Sequence, residues 1–396
     1  TALYTIFGGM KSVLYTSVLQ TPILLLGSLI ILVLGFKELG GWDEMMRVCG
    51  AVTVNDYGDT MTNLIRSNDD ANFPWLGALI GSAIIGFWYW CTDQFIVQRV
   101  LSGKNEMEAR RGTIFGAYLK LLPVFLFLIP GMIAFALHQK YIGAGGEGFL
   151  PMLANGTANA DAAFPTLVAK LLPAGVKGLV VCGILAALMS SLASLFNSSA
   201  MLFTIDFYKR FKPETPEKKL VGIGQIATIV IVVLGILWIP IMRSVGDVLY
   251  TYLQDVQSVL APGIAAAFLL GICWKRTSAQ GGMWGLISGM VIGLTRLGAK
   301  VYYSNAGEVA DSTFKYLFYD MNWLFFCGWM FLFCIIVVIV VSLATEAPTA
   351  EKIQGLVFGT ATKKQKAATR ASWNHWDIIH TVIILAITAA FYWYFW

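Results

Sequence analysis

Long apolar stretches alternate with shorter polar loops along the whole chain. A membrane-spanning helix needs about 20 mostly apolar residues, and nine stretches of the sequence meet that need. They lie at residues 12–36, 75–98, 114–137, 174–205, 220–242, 249–274, 280–299, 322–344 and 376–396. The sequence lacks the alternating polarity of a membrane β-barrel, so each stretch is predicted to be a helix.

Charge divides the connecting loops into two alternating sets. The basic loops follow the second, fourth, sixth and eighth stretches and read QRVLSGKNEMEARR, YKRFKPETPEKK, WKRTSAQ and TKKQKAATR. The loops on the other side are longer and poorer in lysine and arginine. Because basic loops stay in the cytoplasm, the first span is predicted to run outward and the chain to end outside at Trp396.

Composition indicates a bilayer environment rather than a water-facing surface. Hydrophobic residues make up 57% of the chain and charged residues 13%, whereas soluble domains carry roughly a quarter charged residues. The three histidines are scattered and the six cysteines form no CxxC pair, so the sequence indicates neither a metal site nor a disulfide framework. It also holds no clustered acid–base set typical of an enzyme. The net charge of +5 is attributed to membrane topology rather than to nucleic-acid binding.

The stretch GFWYWCTDQF, residues 86–95, places polar groups beside large aromatic rings within an apolar span. Glycine lets a membrane helix pack closely or unwind, and an unwound turn frees backbone groups that can bind a solute. The rings of residues 87–90 offer flat surfaces on which a sugar can stack, and the alternative is an aromatic belt at the membrane interface. Asp93 is either a functional acid or, as its position near the inner end favours, a structural partner of Arg99.

A lysine and an amide-rich segment are the second and third polar features of the spans, where such residues are costly. Lys120 lies nine residues past Arg111, about 13 Å along a helix. It either snorkels to the interface or reaches a cavity and donates to a solute. Gln254, Asp255 and Gln257 all precede a Pro-Gly pair in one span, which exceeds what packing normally requires.

Small polar residues at helical spacing form the fourth feature. They are Ser190, Ser191, Ser194, Asn197 and Ser198. Such residues commonly mediate contacts between membrane helices. Their hydroxyls are also hard oxygen ligands, which suit a hard cation such as sodium, so both interpretations stay open on the residues alone.

Four segments of the chain occur in an order and spacing that identify a family. They are TALYTIFGGMKSVLYTSVLQT, WYWCTDQFIVQRVLSGKN, LMSSLASLFNSSAMLFTIDFYKRF and PGIAAAFLLGICWKR. Together they cover most of residues 1–300, and they resemble the sodium/glucose cotransporters, of bacterial type, in the sodium:solute symporter family. The C-terminal hundred residues match less distinctly.

The resemblance implies an all-α integral membrane fold with a LeuT-like core of two inverted five-helix repeats. Residues 12–36 would be the last helix of the first repeat, residues 75–274 the complete second repeat, and residues 280–396 peripheral helices. All of them would belong to one transporter domain, residues 1–396. The first four core helices would precede this sequence, which begins at Thr1 rather than at a methionine.

The resemblance also implies which residues bind the solute and the ion. The implied substrate-binding residues are Tyr89, Lys120, Gln254 and Gly86, and the implied gate residues are Tyr250, Trp88 and Trp90. Sodium would be held by the Ala187 carbonyl and the hydroxyls of Ser190 and Ser191. The sequence departs from the family pattern at Gly86, where other members carry a polar side chain facing the sugar. It departs again at Ser17, where many members carry an aspartate on the proposed sodium exit path.

The expected function is sodium-coupled symport of a glucose- or galactose-like sugar by alternating access. The expected location is a bacterial-type inner membrane, and the expected partners are the sugar, sodium ions and lipid, without nucleic acid or enzyme chemistry. Other solutes remain open, including a polyol such as myo-inositol, a carboxylate or an amino acid. A membrane sensor that has kept the fold and lost transport is the alternative from another class.

Overall fold

The apolar stretches fold as helices, which satisfy their backbone hydrogen bonds within one segment. The computed structural model describes the backbone of residues 2–153, 156–243, 249–305 and 310–395. Within helices, the side chains of residues 2–17, 19, 20, 241–243, 249, 251, 252 and 305 are not described. The described residues contain no strand, and their only extended pairing is in isolated bridges such as Thr53–Thr60.

The α-helices of the described residues are numbered in chain order. They are α1 (Ala2–Leu39), α2 (Trp42–Gly50), α3 (Trp75–Cys91), α4 (Gln94–Leu101), α5 (Glu106–Pro123), α6 (Ile129–Gly143), α7 (Ala163–Leu171), α8 (Ala174–Met201), α9 (Lys209–Phe211), α10 (Glu217–Arg243), α11 (Leu249–Cys273), α12 (Ala279–Asn305), α13 (Thr313–Lys315), α14 (Trp323–Ala344), α15 (Ala350–Ile353), α16 (Lys363–Ala371) and α17 (His375–Tyr394). Three π-helical segments, Val124–Leu128, Leu202–Tyr208 and Tyr316–Asp320, and a 3₁₀ turn, Ala160–Ala162, lie between them.

Most of the predicted spans correspond to long apolar helices. Among the described residues, seven helical stretches are long and apolar enough to cross a membrane. They are Thr21–Leu39, Glu106–Gly143, Ala174–Phe211, Glu217–Pro240, Leu253–Cys273, Trp323–Ala344 and His375–Tyr394. The pair α3 and α4 makes an eighth if counted as one bent span. The predicted span at residues 280–299 is helical in α12, but its glycines and Arg296 leave it less apolar than the others.

Two compact units divide the chain. The first unit comprises Thr1–Thr62 and Ala117–Ser244, and the second unit comprises Asn63–Gly116 and Val245–Trp396. In the first unit α1 packs along α8, while α6 packs against α1, α2 and α7. In the second unit α11, α12 and α14 pack against one another, and α3 packs against α11 and α14.

Glycines allow the close approach of α1 and α8 in the first unit. A Cβ at Gly27 of α1 would meet the Val180 side chain at 2.7 Å, and one at Gly183 of α8 would meet the Ile23 side chain at 3.2 Å. Small residues at these positions let the two backbones pack tightly, as is common between membrane helices. The first unit therefore holds α8, with its serine-rich segment, firmly against α1.

Glycines also allow the close approach of helices in the second unit. A Cβ at Gly263 of α11 would lie 3.3 Å from the Cα of Gly289 in α12, and one at Gly81 of α3 would lie 2.9 Å from the Leu324 carbonyl oxygen of α14. These contacts leave no room for larger side chains without movement of backbone. They hold α11 against α12 and α3 against α14. Helices α3 and α11 carry most of the predicted solute-binding residues.

The loops of the second unit agree with the predicted topology. On one side, the Asn322 amide before α14 donates to the Ala71 carbonyl before α3, at 2.7 Å. On the other side, the Arg276 guanidinium after α11 donates to the Thr345 carbonyl after α14, at 2.7 Å. The starts of α3 and α14 therefore lie together, and so do the ends of α11 and α14, as the alternation of basic loops predicts.

Candidate functional site

Polar residues break the helix at the end of the aromatic stretch. Helix α3 ends at Cys91 and α4 begins at Gln94, and the two helices are bent by 48°. The Thr92 hydroxyl donates to the Trp88 carbonyl at 2.7 Å, and the Asp93 carboxylate accepts the Phe95 N–H at 3.0 Å. Asp93 is thus the N-cap of α4, a position that an acceptor side chain stabilises by about 1 kcal/mol.

The three rings before the break have different surroundings. Trp88 packs against a buried cluster built from α3, α11 and α14. Tyr89 is half-buried and meets Trp90 edge to face with ring centroids 5.3 Å apart. A Cβ at Gly86 would meet nothing within 4 Å, so α3 has open space one turn before Trp90. Trp88 and Tyr89 are both half-buried, but Trp88 packs against that cluster while Tyr89 meets Trp90, and Gly86 has open space beside it.

Helix α11 brings a predicted solute ligand and a predicted gate residue into contact. The Gln254 amide donates to the Tyr250 hydroxyl at 3.1 Å, because residues one turn apart share a helix face. Tyr250 is 56% exposed and Gln254 is half-buried. The Gln254 carbonyl oxygen and the second amide proton are further hydrogen-bonding groups of this side chain, with which a solute hydroxyl could bond.

The serines of α8 divide into two groups. Ser194 and Ser198 are buried, and their hydroxyls donate to the carbonyls of Ser190 and Ser194 in the preceding turn, at 3.1 Å and 2.8 Å. Such bonds within a helix satisfy a buried hydroxyl without a ligand. Ser190 is half-buried and Ser191 is exposed. These two serines and Ala187 lie within four residues on α8, so they can share one side of the helix.

The remaining predicted site residue of the first unit is Lys120. It is exposed on α5, three residues before Pro123. The first unit therefore carries Lys120 and the predicted sodium ligands, and the second unit carries Tyr89, Tyr250 and Gln254. The side chain of Ser17 lies outside the described residues.

Asp255 is the centre of a buried charge cluster that the sequence reasoning did not predict. Its carboxylate contacts the Arg296 guanidinium at 3.4 Å and the Lys300 ammonium at 2.5 Å. Arg296 has no exposed surface, and the exposed fractions of the Asp255 and Lys300 side chains are 12% and 30%. One buried carboxylate is thus shared by two cations, both supplied by α12.

Arg296 links this cluster to the chain segment before α14. Its guanidinium donates to the Met321 carbonyl at 2.8 Å and to the Leu317 carbonyl at 3.4 Å. It also lies 4.1 Å from the centroid of the Phe326 ring, a cation–π arrangement. The cluster therefore connects α11, α12 and α14 around one charged side chain.

A sequence signal for this cluster existed. Arg296 and Lys300 stand four residues apart in a predicted span, so they share a helix face. Ionisable residues within spans usually pair with one another, and Asp255 is the one carboxylate in the span just before them. The spacing and this rule together predict that Asp255 pairs with Arg296 and Lys300.

Comparison with known proteins decides the family. The model of the sodium:solute symporter family matches residues 1–289. The chain belongs to the sodium:solute symporter family. The curated relatives of this symporter include the sodium/mannose cotransporter SLC5A10 of Bos taurus, which is 35% identical over an alignment covering 100% of this chain and 70% of the relative.

Two further relatives of the symporter are named for other solutes. The sodium/myo-inositol cotransporter 2 of Homo sapiens is 36% identical, over 91% of this chain and 55% of the relative. The sodium/glucose cotransporter 1 of Ovis aries is 38% identical, over 87% of this chain and 54% of the relative. The chain thus spans between about half and 70% of the length of these relatives.

A solved structure shows the fold that the symporter shares. The substrate-bound, outward-open state of a Na⁺-coupled sialic acid symporter matches with a TM-score of 0.63 and 20% identity, over 88% of this chain and 65% of that chain. At that identity the match shows the fold alone. The predicted all-helical, LeuT-like membrane fold is confirmed, and so is the prediction that the chain crosses the membrane several times.

The comparisons also confirm the coarser functional predictions. The family and the named relatives are sodium-coupled transporters and not enzymes. Sodium is accordingly the coupling ion indicated for this chain. The relatives named for glucose, mannose and myo-inositol are 35–38% identical to it, so identity alone does not choose among those solutes.

Proposed function

We propose that this symporter couples sodium entry to the uptake of a neutral polyhydroxyl ring, a sugar or a cyclic polyol. The hydrogen bond between Gln254 and Tyr250 carries the proposal. It presents an amide and a phenol on one accessible face of α11, and these groups can exchange hydrogen bonds with solute hydroxyls in both directions. Neither group carries a charge, which suits a neutral solute.

The aromatic segment of α3 supplies the second contact in this proposal. Tyr89 would stack on the solute ring and block its path inward. The helix break at Thr92 and Asp93 follows directly, so the gate lies at the end of a discontinuous helix, where transporters commonly place their binding sites. The open space at Gly86 would leave room for a ring that a polar side chain would partly fill.

Sodium would bind at α8 through the Ala187 carbonyl and the hydroxyls of Ser190 and Ser191. Hard cations prefer oxygen ligands, and these serines are less buried than Ser194 and Ser198, whose hydroxyls are satisfied within the helix. A few oxygens from one helix do not complete a cation site, so further ligands would come from other helices.

Transport would proceed by alternating access. Sodium would favour the outward-open state, and the solute would then close Tyr250 over the site before Tyr89 releases it inward. In this assignment residues 12–36 end the first repeat, residues 75–274 form the second, and residues 280–396 are peripheral. The working location would be the cell membrane.

Other solutes make different demands on the same residues. A carboxylate would need a cation, and Lys120 is the one candidate among the predicted site residues. Asp255 offers no net negative charge for an amino group, because its carboxylate is engaged by Arg296 and Lys300. The contacts on α11 therefore favour a neutral solute over an amino acid or a carboxylate.

The proposal is tested by uptake into proteoliposomes that contain the full-length protein. Sodium-dependent uptake of labelled glucose, mannose, galactose and myo-inositol is compared, with sialic acid and an amino acid as competitors. We expect one neutral ring to be taken up with sodium and to be displaced by its close analogues only. Uptake that needs no sodium, or competition by the anion alone, would contradict the proposal.

Tyr89 provides the sharpest test of the solute site. Tyr89→Phe keeps the ring and loses a hydrogen bond worth roughly 0.5–1.5 kcal/mol, so the half-saturating solute concentration should rise only modestly. Tyr89→Ala removes the stacking surface beside Gly86, and uptake should collapse while sodium binding persists. Trp88 is the matched control, since it is equally half-buried but packs against the cluster of α3, α11 and α14. If Trp88→Ala lowered solute affinity in folded protein and Tyr89→Ala did not, the solute would face the other side of α3.

A further inference from the structure

The loop between α14 and α17 is fastened to the membrane end of α11. The Phe358 N–H donates to the Ile272 carbonyl at 2.8 Å, and Ile272 is the next-to-last residue of the apolar span Leu253–Cys273. The loop at Phe358 therefore lies where that span meets the polar edge of the bilayer, on the side predicted to be cytoplasmic.

Two large apolar side chains project from this loop. Leu356 is 73% exposed and Phe358 is 74% exposed. Their exposure does not come from a loose loop: the Thr360 hydroxyl donates to the Ile353 carbonyl at 2.8 Å, and the Gly355 N–H donates to the Thr360 hydroxyl oxygen at 3.0 Å. An ordered turn at membrane level thus presents a leucine and a phenylalanine outward.

A short basic helix packs beside this turn. Helix α16 begins with a capping box between Thr362 and Gln365, and the Gln365 side chain lies against the backbone of Gly355. Four of its residues are exposed cations. They are Lys363, Lys364, Lys366 and Arg370. The turn and the helix therefore form one surface with an apolar part and a basic part.

The segment that carries this surface has no acidic residue of its own. No aspartate or glutamate occurs between Lys352 and Asp377. The end of α16 is held in place, because the Arg370 guanidinium lies 4.0 Å from the Trp373 ring centroid and the Arg110 guanidinium of α5 donates to the Ser372 hydroxyl at 3.3 Å. Arg110 itself pairs with Glu106 at 3.2 Å, so the cations available to a ligand are those of α16.

We propose that this surface, the turn at residues 355–359 together with α16, binds the headgroups of anionic lipids and anchors the loop in the bilayer interface. Basic side chains gain from the negative surface potential of such lipids, and adjacent apolar side chains gain from burial at the acyl boundary. Apolar residues at membrane level beside a basic helix fit a lipid surface better than a soluble protein. The proposal is independent of which solute the protein carries.

The test places a photocrosslinking phenylalanine analogue at position 358 of the full-length protein. The protein is reconstituted in vesicles of phosphatidylcholine alone, or of phosphatidylcholine mixed with phosphatidylglycerol, and adducts are identified by mass spectrometry after illumination. We expect lipid adducts in both vesicles. In the mixture, phosphatidylglycerol adducts should be enriched severalfold over their bulk share, and added salt should reduce the enrichment.

Charge variants separate specific binding from simple proximity to lipid. Replacing Lys363, Lys364 and Lys366 together by glutamine should bring the adduct ratio back to the bulk composition. The matched control replaces Lys212, Lys218 and Lys219, from another basic loop, and should leave the enrichment unchanged. Adducts in the bulk lipid ratio in the unsubstituted protein, adducts on protein, or an absence of lipid adducts would each overturn the proposal.

Discussion

Asp255→Asn tests whether the buried charge cluster stabilises the second unit. The substitution keeps the size and one hydrogen-bond acceptor of the side chain but removes its charge. Arg296, which has no exposed surface, and Lys300, whose side chain is 30% exposed, then lose their shared counter-ion. Two cations would remain in a region from which water is largely excluded.

The expected cost follows from the burial of these side chains. Removing one partner of a buried ion pair costs about 3–5 kcal/mol, because the other charge stays desolvated. Lys300 can partly reach solvent, and asparagine keeps an acceptor, so we expect the lower end, about 3 kcal/mol. For a chain of this size that corresponds to a fall in melting temperature of about 3–4 °C.

Lys300→Met, unlike Asp255→Asn, should change the melting temperature little. It removes the less buried cation and leaves the Asp255–Arg296 pair, which balances in charge, so its effect on melting should be small. The double variant Asp255→Asn with Lys300→Met should melt higher than Asp255→Asn alone, because only one uncompensated cation remains. The difference from additivity measures the coupling between the two side chains.

The assay is thermal unfolding of the purified full-length protein in detergent, followed by size-exclusion chromatography after heating. Asp311→Asn is the matched control, since Asp311 pairs with Lys315 at 2.8 Å but its side chain is 94% exposed, and a surface pair should leave melting unchanged. If Asp255→Asn melted within about 1 °C of the unsubstituted protein, or if the double variant were the least stable, the proposed role of the cluster would be refuted.

Three further predictions concern the first unit. Ser191→Ala should lower apparent sodium affinity severalfold in uptake assays and spare solute binding at saturating sodium, and an unchanged sodium dependence would remove Ser191 from the site. Lys120→Ala should raise the half-saturating solute concentration more than Lys120→Arg, whereas a snorkelling lysine would tolerate both changes. Burial raises the pKa of the Cys49 thiol to about 11, so at pH 8 its thiolate is about two-hundredfold scarcer than that of an ordinary cysteine. Maleimide should therefore label Cys49 rapidly only after unfolding in dodecyl sulfate, and rapid labelling of the folded protein would contradict the buried environment.

The spans could be predicted because a bilayer imposes a length on every helix that crosses it, whereas their directions stay a prediction of the charge rule. The exact helix ends could not, since caps decide them locally. Asp93 illustrates this limit: its position between an apolar and a basic segment suggested a partner such as Arg99, but its carboxylate caps α4 through the Phe95 N–H. A short acceptor side chain beside a helix start competes well for backbone donors, whatever cation lies nearby.

The candidate site was predictable only as far as residue type and helical spacing determine contacts. Gln254 and Tyr250 are one turn apart, so their hydrogen bond follows from spacing in a helix. The contact between Asp255 and Arg296 joins residues 41 positions apart and depends on how α11 packs against α12. The close approach of Gly263 and Gly289 sets that packing, and such a contact has no signature in either segment alone.

Neighbouring residues of α11 therefore serve different purposes. Successive side chains on a helix point about 100° apart, so Gln254 can face the accessible side with Tyr250 while Asp255 points into the packed side with Arg296. Since two cations already engage the Asp255 carboxylate, it offers neither a counter-charge to a solute nor a ligand to sodium. Its removal should thus act on stability first, and any change in solute affinity should follow from a displaced α11. Asp255→Asn protein that melts normally but binds solute weakly would show instead that the carboxylate contacts the solute.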